Sequence, residues 1–128
     1  MKKYFYKILT GFMFLVSLMP FRVLYILSDI LFFFVFYLVK YRRKVVQINL
    51  INSFPEKTSS ERYEIEKKFY KHLLDLIFES VKTMTISPEQ IQKRFILKNP
   101  EEITKYTDLG KSVIAVSGHY GNWEWGPL

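Results

Sequence analysis

His119 and Glu124 stand five positions apart in the stretch Val116-Ser-Gly-His-Tyr-Gly-Asn-Trp-Glu-Trp125. A carboxylate that accepts a hydrogen bond from one imidazole nitrogen leaves the other nitrogen free as a base. It also stabilises the imidazolium formed once the base takes a proton. General-base action of this kind contributes roughly 10²–10⁴ in rate. Ser117 is near, but a residue just before the histidine need not point the same way, and the stretch offers no serine or cysteine with an evident nucleophilic role. A dyad without a nucleophile activates the substrate's own hydroxyl, and backbone N–H groups of the glycine turn could steady an oxyanion. As bare spacing, H-x₄-E arises often by chance; its setting of apolar run, Gly118, aromatic, Gly121, Asn122 is more informative. Trp123 and Trp125 bracket Glu124. Trp125 reads as a core or membrane-interface residue. Trp123 reads equally as that or as a wall of an acyl groove.

Several elements must hold this pair. The apolar run over 113–116 predicts a strand spanning 112–117 that delivers His119, and Gly118 and Gly121 allow a tight turn and close approach of a substrate. A helix beginning near Asn122 would put Glu124 in its first turn. Upstream, Asn99-Pro-Glu-Glu102 opens a helix ending near Leu109-Gly110, with glycine just past the end. Phe95-Ile-Leu97 reads as a strand, and Ser87-Pro-Glu-Gln90 as a helix start with proline at the first position. Helix, strand, helix, strand predicts an α/β layer whose strand ends carry function.

Thr58-Ser-Ser-Glu61 is a capping box, and a long helix follows to about Met84. Ile65, Phe69, Leu73, Leu76 and Ser80 lie along its expected inward stripe, widened by Tyr70, Leu74, Ile77 and Val81. His72, Asp75 and Glu79 share a face and read as a polar network, not a metal site. Before it, Val45, Ile48 and Ile51 step by three while Val46, Leu50 and Phe54 step by four, giving an amphipathic helix that stops before Pro55.

The first 44 residues differ in kind. Ile8 to Met19 and Val23 to Val39 are largely apolar, Pro20 divides them, and Lys40-Tyr-Arg-Arg-Lys44 closes the region. Residues 1–57 hold nine Lys/Arg against two Asp/Glu, whereas 58–128 hold ten of each, so the net +7 belongs wholly to the apolar part. Cations beside apolar runs point to an anionic membrane surface and away from nucleic acid. A cleaved leader is not expected, since the chain's one alanine is Ala115. As one helix 8–39 would run about 48 Å against a hydrocarbon core of ~30 Å. That leaves two arrangements: an interfacial helix followed by a single span over 21–39, or a shallow hairpin with both basic ends on one face. Asp29, amid Phe and Leu, is expected to pair with a cation such as Arg22. The chain has no cysteine, which excludes disulfides and thiol chemistry, and its two histidines are 47 positions apart. No metal or cofactor is expected.

Gly118-His-Tyr-Gly-Asn-Trp-Glu124 resembles the first motif of the bacterial lipid A late acyltransferases (lauroyl/myristoyl transferases), members of the lysophospholipid acyltransferase superfamily with its H-x₄-D/E hallmark. The similarity runs from the apolar anchor through Tyr41-Arg-Arg-Lys-Val-Val46, Asn49-Leu50, Ser53-Phe-Pro55 and the Phe69-Tyr-Lys-His-Leu73 helix with Glu79. The resemblance implies an anchor over 1–44 and, over 45–128, the N-terminal part of a truncated α/β acyltransferase domain. It implies an enzyme of the cytoplasmic side of the bacterial inner membrane. That enzyme would move a fatty acyl group from acyl-carrier protein or acyl-CoA to a hydroxyl of a lipid A precursor or related glycolipid. His119 would be its base and Glu124 the orienting carboxylate. The family's later arginine- and proline-bearing blocks are not in this sequence, so residues 1–128 read as an N-terminal fragment, inactive alone. A small basic membrane-binding or assembly protein without catalysis is the competing expectation.

Overall fold

The computed structural model describes residues 2–116 and 118–126, which divide into two compact units, 1–85 and 86–128. In the first unit, helix α1 (Lys2–Ser17) and helix α2 (Phe21–Phe33) flank Pro20, whose extended backbone (ψ 151°) starts α2. Helix α2 continues into a wide π-helical stretch, Phe34–Val39. Helix α3 (Arg43–Ser53) ends at Phe54, just before Pro55, as the spacing predicts. Helix α4 (Ser59–Lys82) begins at the predicted capping box. Thr58 Oγ1 accepts from the Glu61 N–H at 3.3 Å while the Glu61 carboxylate accepts from the Thr58 N–H at 2.8 Å. These bonds to Thr58 hold the Glu61 carboxyl below its ordinary range.

The core of this unit lies between α2 and α4: Phe32, Phe36, Tyr70 and Leu74 are buried, with Val35, Val46 and Leu73 packed around them. Phe32 stacks on Phe36 at 5.2 Å, and Phe36 meets Tyr70 edge-on at 5.4 Å. The buried stripe of α4 shares Tyr70 and Leu74 with the predicted face but runs on through Glu66 and Lys82, while Phe69 and Ile77, expected inward, are exposed. Periodicity misses Glu66 and Lys82 because each is buried with partners. Glu66 takes a bidentate pair of bonds from Arg43, at 2.7 and 3.0 Å, and two more from Gln47 Nε2. The Lys82 ammonium donates to the carbonyls of Ser17 (2.8 Å) and Met19 (3.0 Å), and Thr85 Oγ1 donates to Ser17 as well. The end of α1 is thereby capped from α4, satisfying carbonyls a helix terminus leaves open. Burial lowers the Lys82 pKa.

Between α2 and α3 the chain turns sharply, with Lys40 (φ 54°) and Arg42 (φ 51°) both left-handed. Non-glycine residues occupy that region at a cost and need holding. The Tyr70 hydroxyl donates to the Tyr41 carbonyl inside the turn, and Arg43 lies 4.1 Å over the Phe36 ring while bound to Glu66. Burial raises the Tyr70 hydroxyl's pKa.

The second unit begins with helix α5 (Pro88–Gln92), capped by Ser87 and Gln90 as predicted. Helix α6 (Glu101–Thr107) starts later than the Asn99 signal implied, because Pro100 occupies the flanking position and Asn99 is itself left-handed at φ 56°. It ends as expected: Gly110 (φ 69°) lets its own N–H reach the Thr107 carbonyl and that of Lys111 reach Tyr106.

Among the described residues no strand forms, at 95–97 or at 112–116, so the expected α/β layer is not present in these helices and loops. A strand exists only through ladder hydrogen bonds to a neighbour, and neither apolar segment has one here. Ile114 and Val116 are accordingly about nine-tenths exposed. Ser117 lies outside the described residues.

Candidate functional site

His119 sits in a tight turn in which the Tyr120 N–H donates to the Gly118 carbonyl at 2.9 Å. Gly121 follows with φ 57°, a conformation that favours glycine, and reverses the chain before a short 3₁₀ turn, Trp123–Trp125. Asn122 flanks that turn, its carbonyl accepting from the Trp125 N–H at 3.2 Å, and Glu124 falls in the first turn as the spacing predicts. Acidic groups are favoured at this end of a helical turn. The anchor of the turn is Trp125, buried beside Phe95 and Ile91. A Cβ on Gly126 would come within 3.1 Å of the Phe95 ring and 3.2 Å of the Trp123 carbonyl, so any larger residue there would have to push the ring or the turn by a few tenths of an ångström. Of the two roles expected for Trp125, core or membrane interface, its burial here fits the first.

The structure brings His119 to Trp123: the rings meet edge-on, 4.5 Å between centroids at 76°. Nothing in the spacing pointed to this contact; Gly121, with φ 57°, lies in the loop that makes it. His119 and Glu124 are both exposed, and among the described residues no hydrogen bond or ion pair joins them. Without a sheet to fix residue 119, its nearest ring partner is the tryptophan and not the carboxylate.

The polar residues of the first unit are built into packing. Asp29 pairs with a cation as expected, though with Lys71 of α4 (2.9 Å) in place of Arg22. Asp75 accepts from the Ser28 hydroxyl and Glu79 from the Tyr25 hydroxyl, each at 2.7 Å. His72 does not join them; it is exposed on α4. No cluster suited to a metal ion occurs among the described residues. Among the described residues one helical stretch, Phe21–Val39, is long and apolar enough to cross a membrane.

No curated protein and no solved structure matches the chain. The family model of the bacterial lipid A biosynthesis acyltransferases matches residues 1–128. With a match over its full extent, and with the Gly118–Glu124 turn inside it, the chain belongs to the bacterial lipid A biosynthesis acyltransferase family.

Proposed function

We propose that the protein transfers a fatty acyl group from a thioester, acyl-carrier protein or acyl-CoA, to a hydroxyl of a lipid A precursor or related glycolipid. The family match over residues 1–128 carries this reading. The acceptor hydroxyl attacks the thioester carbonyl and gives its proton to His119. The C–S bond then breaks, and the leaving thiolate takes the proton back from the imidazolium. Glu124 orients the imidazole and stabilises its charged form. Residues 45–128 would form part of the catalytic domain, in which the apolar run 113–116, no strand by itself here, would add to a sheet. The bare apolar side chains of Val113, Ile114 and Val116 support that role, since they need cover that a sheet would supply. Residues 1–44 hold the domain at the cytoplasmic side of the inner membrane.

The test offers radiolabelled acyl-carrier-protein and acyl-CoA thioesters separately, with a hydroxyl-bearing lipid A precursor, to membranes expressing the gene's full reading frame. Label is expected in the glycolipid from at least one donor. Label from neither donor would contradict the reading.

A further inference from the structure

The polar partners of α2 decide how the apolar N-terminal part meets a bilayer. The 19 residues Phe21–Val39 have the length of a span. Helix α4, however, runs antiparallel along the whole of them. Lys82 is bound at Ser17 and Met19, Glu79 at Tyr25, Asp75 at Ser28, Lys71 at Asp29, Tyr70 at Phe36 and Tyr41, and Glu66 at Arg43. A bilayer that enclosed Phe21–Val39 would enclose this stretch of α4 too. Between Glu66 and Lys82 it carries Lys67, Lys68, Lys71, Asp75 and Glu79 besides. The Asp29–Lys71 pair would fall at the middle of the hydrocarbon, although both side chains are half exposed, 62% and 50%. Each charge at a helix centre is disfavoured there by roughly a hundredfold or more.

The other side of α2 is the opposite in character. Val23, Ile26, Ile30, Phe33 and Tyr37 form one exposed apolar stripe, directed away from the buried Phe21, Leu24, Ser28, Phe32 and Phe36. Helix α1, 16 residues long, spans about 24 Å, short of a ~30 Å core, and exposes Ile8, Phe12 and Leu15. Exposed cations flank these apolar faces at Lys7, Arg22, Lys40, Arg42 and Lys44. An apolar stripe bordered by Lys and Arg is the form of a helix lying in an anionic interface.

We propose that α1 and α2 lie in the plane of one anionic lipid leaflet, stripe inward, and do not cross it, with α4 covering their polar face from the aqueous side. The inference rests on the membrane part of the reading above and not on its chemistry. Its test does not use acyl transfer, so failure of the placement and failure of the enzymology are distinguishable.

Single cysteines replace Lys7, Lys44 and His72 in turn in the full-length protein. Each is probed with a membrane-impermeant maleimide in sealed right-side-out and inverted vesicles. All three are expected to label from one and the same side. Labelling of Lys7→Cys and Lys44→Cys from opposite sides, or shielding of His72→Cys by lipid, would overturn the proposal. A nitroxide on Ile30→Cys is expected to collide with oxygen and not with a water-soluble nickel complex. The vesicles used are equal parts phosphatidylcholine and phosphatidylglycerol. Spin–spin broadening there would mean that a second copy covers the stripe, and would equally overturn it. Binding to phosphatidylcholine alone is expected to be at least tenfold weaker, each interfacial cation contributing roughly fivefold. Equal binding to both vesicles removes the anionic leaflet as the partner.

Discussion

Replacing Glu66 with alanine strands a buried cation. Glu66 is 1% exposed and receives both arms of the Arg43 guanidinium, at 2.7 and 3.0 Å, with Gln47 Nε2 at 3.2 Å as a further donor. The bond to Glu66 raises the Arg43 pKa, but a guanidinium keeps its charge near neutral pH without that help, so Arg43 stays charged when its partner is gone. Breaking one side of a buried pair costs roughly 3–5 kcal/mol. The Arg43 side chain keeps 17% exposure and its seat over Phe36, which places the expected loss near the lower end, about 3 kcal/mol. For a unit of this size, such a loss corresponds to roughly 12–24 °C in Tm. The assay is thermal unfolding in detergent, followed by circular dichroism and by protease resistance of the Lys40–Arg42 turn. The double variant Arg43→Met/Glu66→Met is expected to recover most of the loss, because no unpaired charge remains. A Glu66→Ala midpoint shift no larger than that of a surface substitution, about 0.5 kcal/mol, would refute the reasoning.

Three further outcomes follow from single contacts. Lys82→Met keeps the aliphatic stem but leaves the Ser17 and Met19 carbonyls short of a donor. The expected cost is about 1–3 kcal/mol, read as faster proteolysis at the α1–α2 junction with α3 unaffected. Because the Glu61 carboxyl is lowered by its bonds to Thr58, its contribution to the start of α4 is present above the ordinary carboxylate range. It is lost as pH falls through the lowered value, so the protection factors of the amides in residues 59–62, corrected for the intrinsic pH dependence of exchange, should fall on acidification, and that fall should vanish in Glu61→Ala. Gly121→Ala forces a side chain into φ 57°, at about 1–2 kcal/mol, and is expected to separate His119 from Trp123, seen as loss of the ring-current shift on the imidazole.

The parts of this fold that were legible in the sequence are those set by local chemistry. Thr58 and Glu61 cap α4, Ser87 and Gln90 cap α5, Pro55 stops α3 and Gly110 ends α6, each through bonds within a few residues. The parts that were not legible depend on distant partners. Glu66 and Lys82 are buried only because Arg43 and the Ser17 and Met19 carbonyls meet them, and Asp29 finds Lys71 across 42 positions of chain. A pattern of apolar spacing discounts such residues. The apolar run at 113–116 was readable as strand material, but a strand is a property of two segments, and among the described residues it has no neighbour. The turn at the site follows the same division. Gly121 and the position of Glu124 were readable, whereas the edge-on approach of Trp123 to His119 needed the turn to be built.

The most direct test of the proposed chemistry compares acyl transfer by the wild type with that of His119→Ala and Glu124→Ala in the full-length enzyme, at matched expression and membrane content. Loss of the base is expected to lower kcat/KM by roughly 10²–10⁴-fold, and Glu124→Ala is expected to lower it too, with little effect on membrane binding. If both variants turn over at near the wild-type rate, His119 is not the base and the account of the site is wrong.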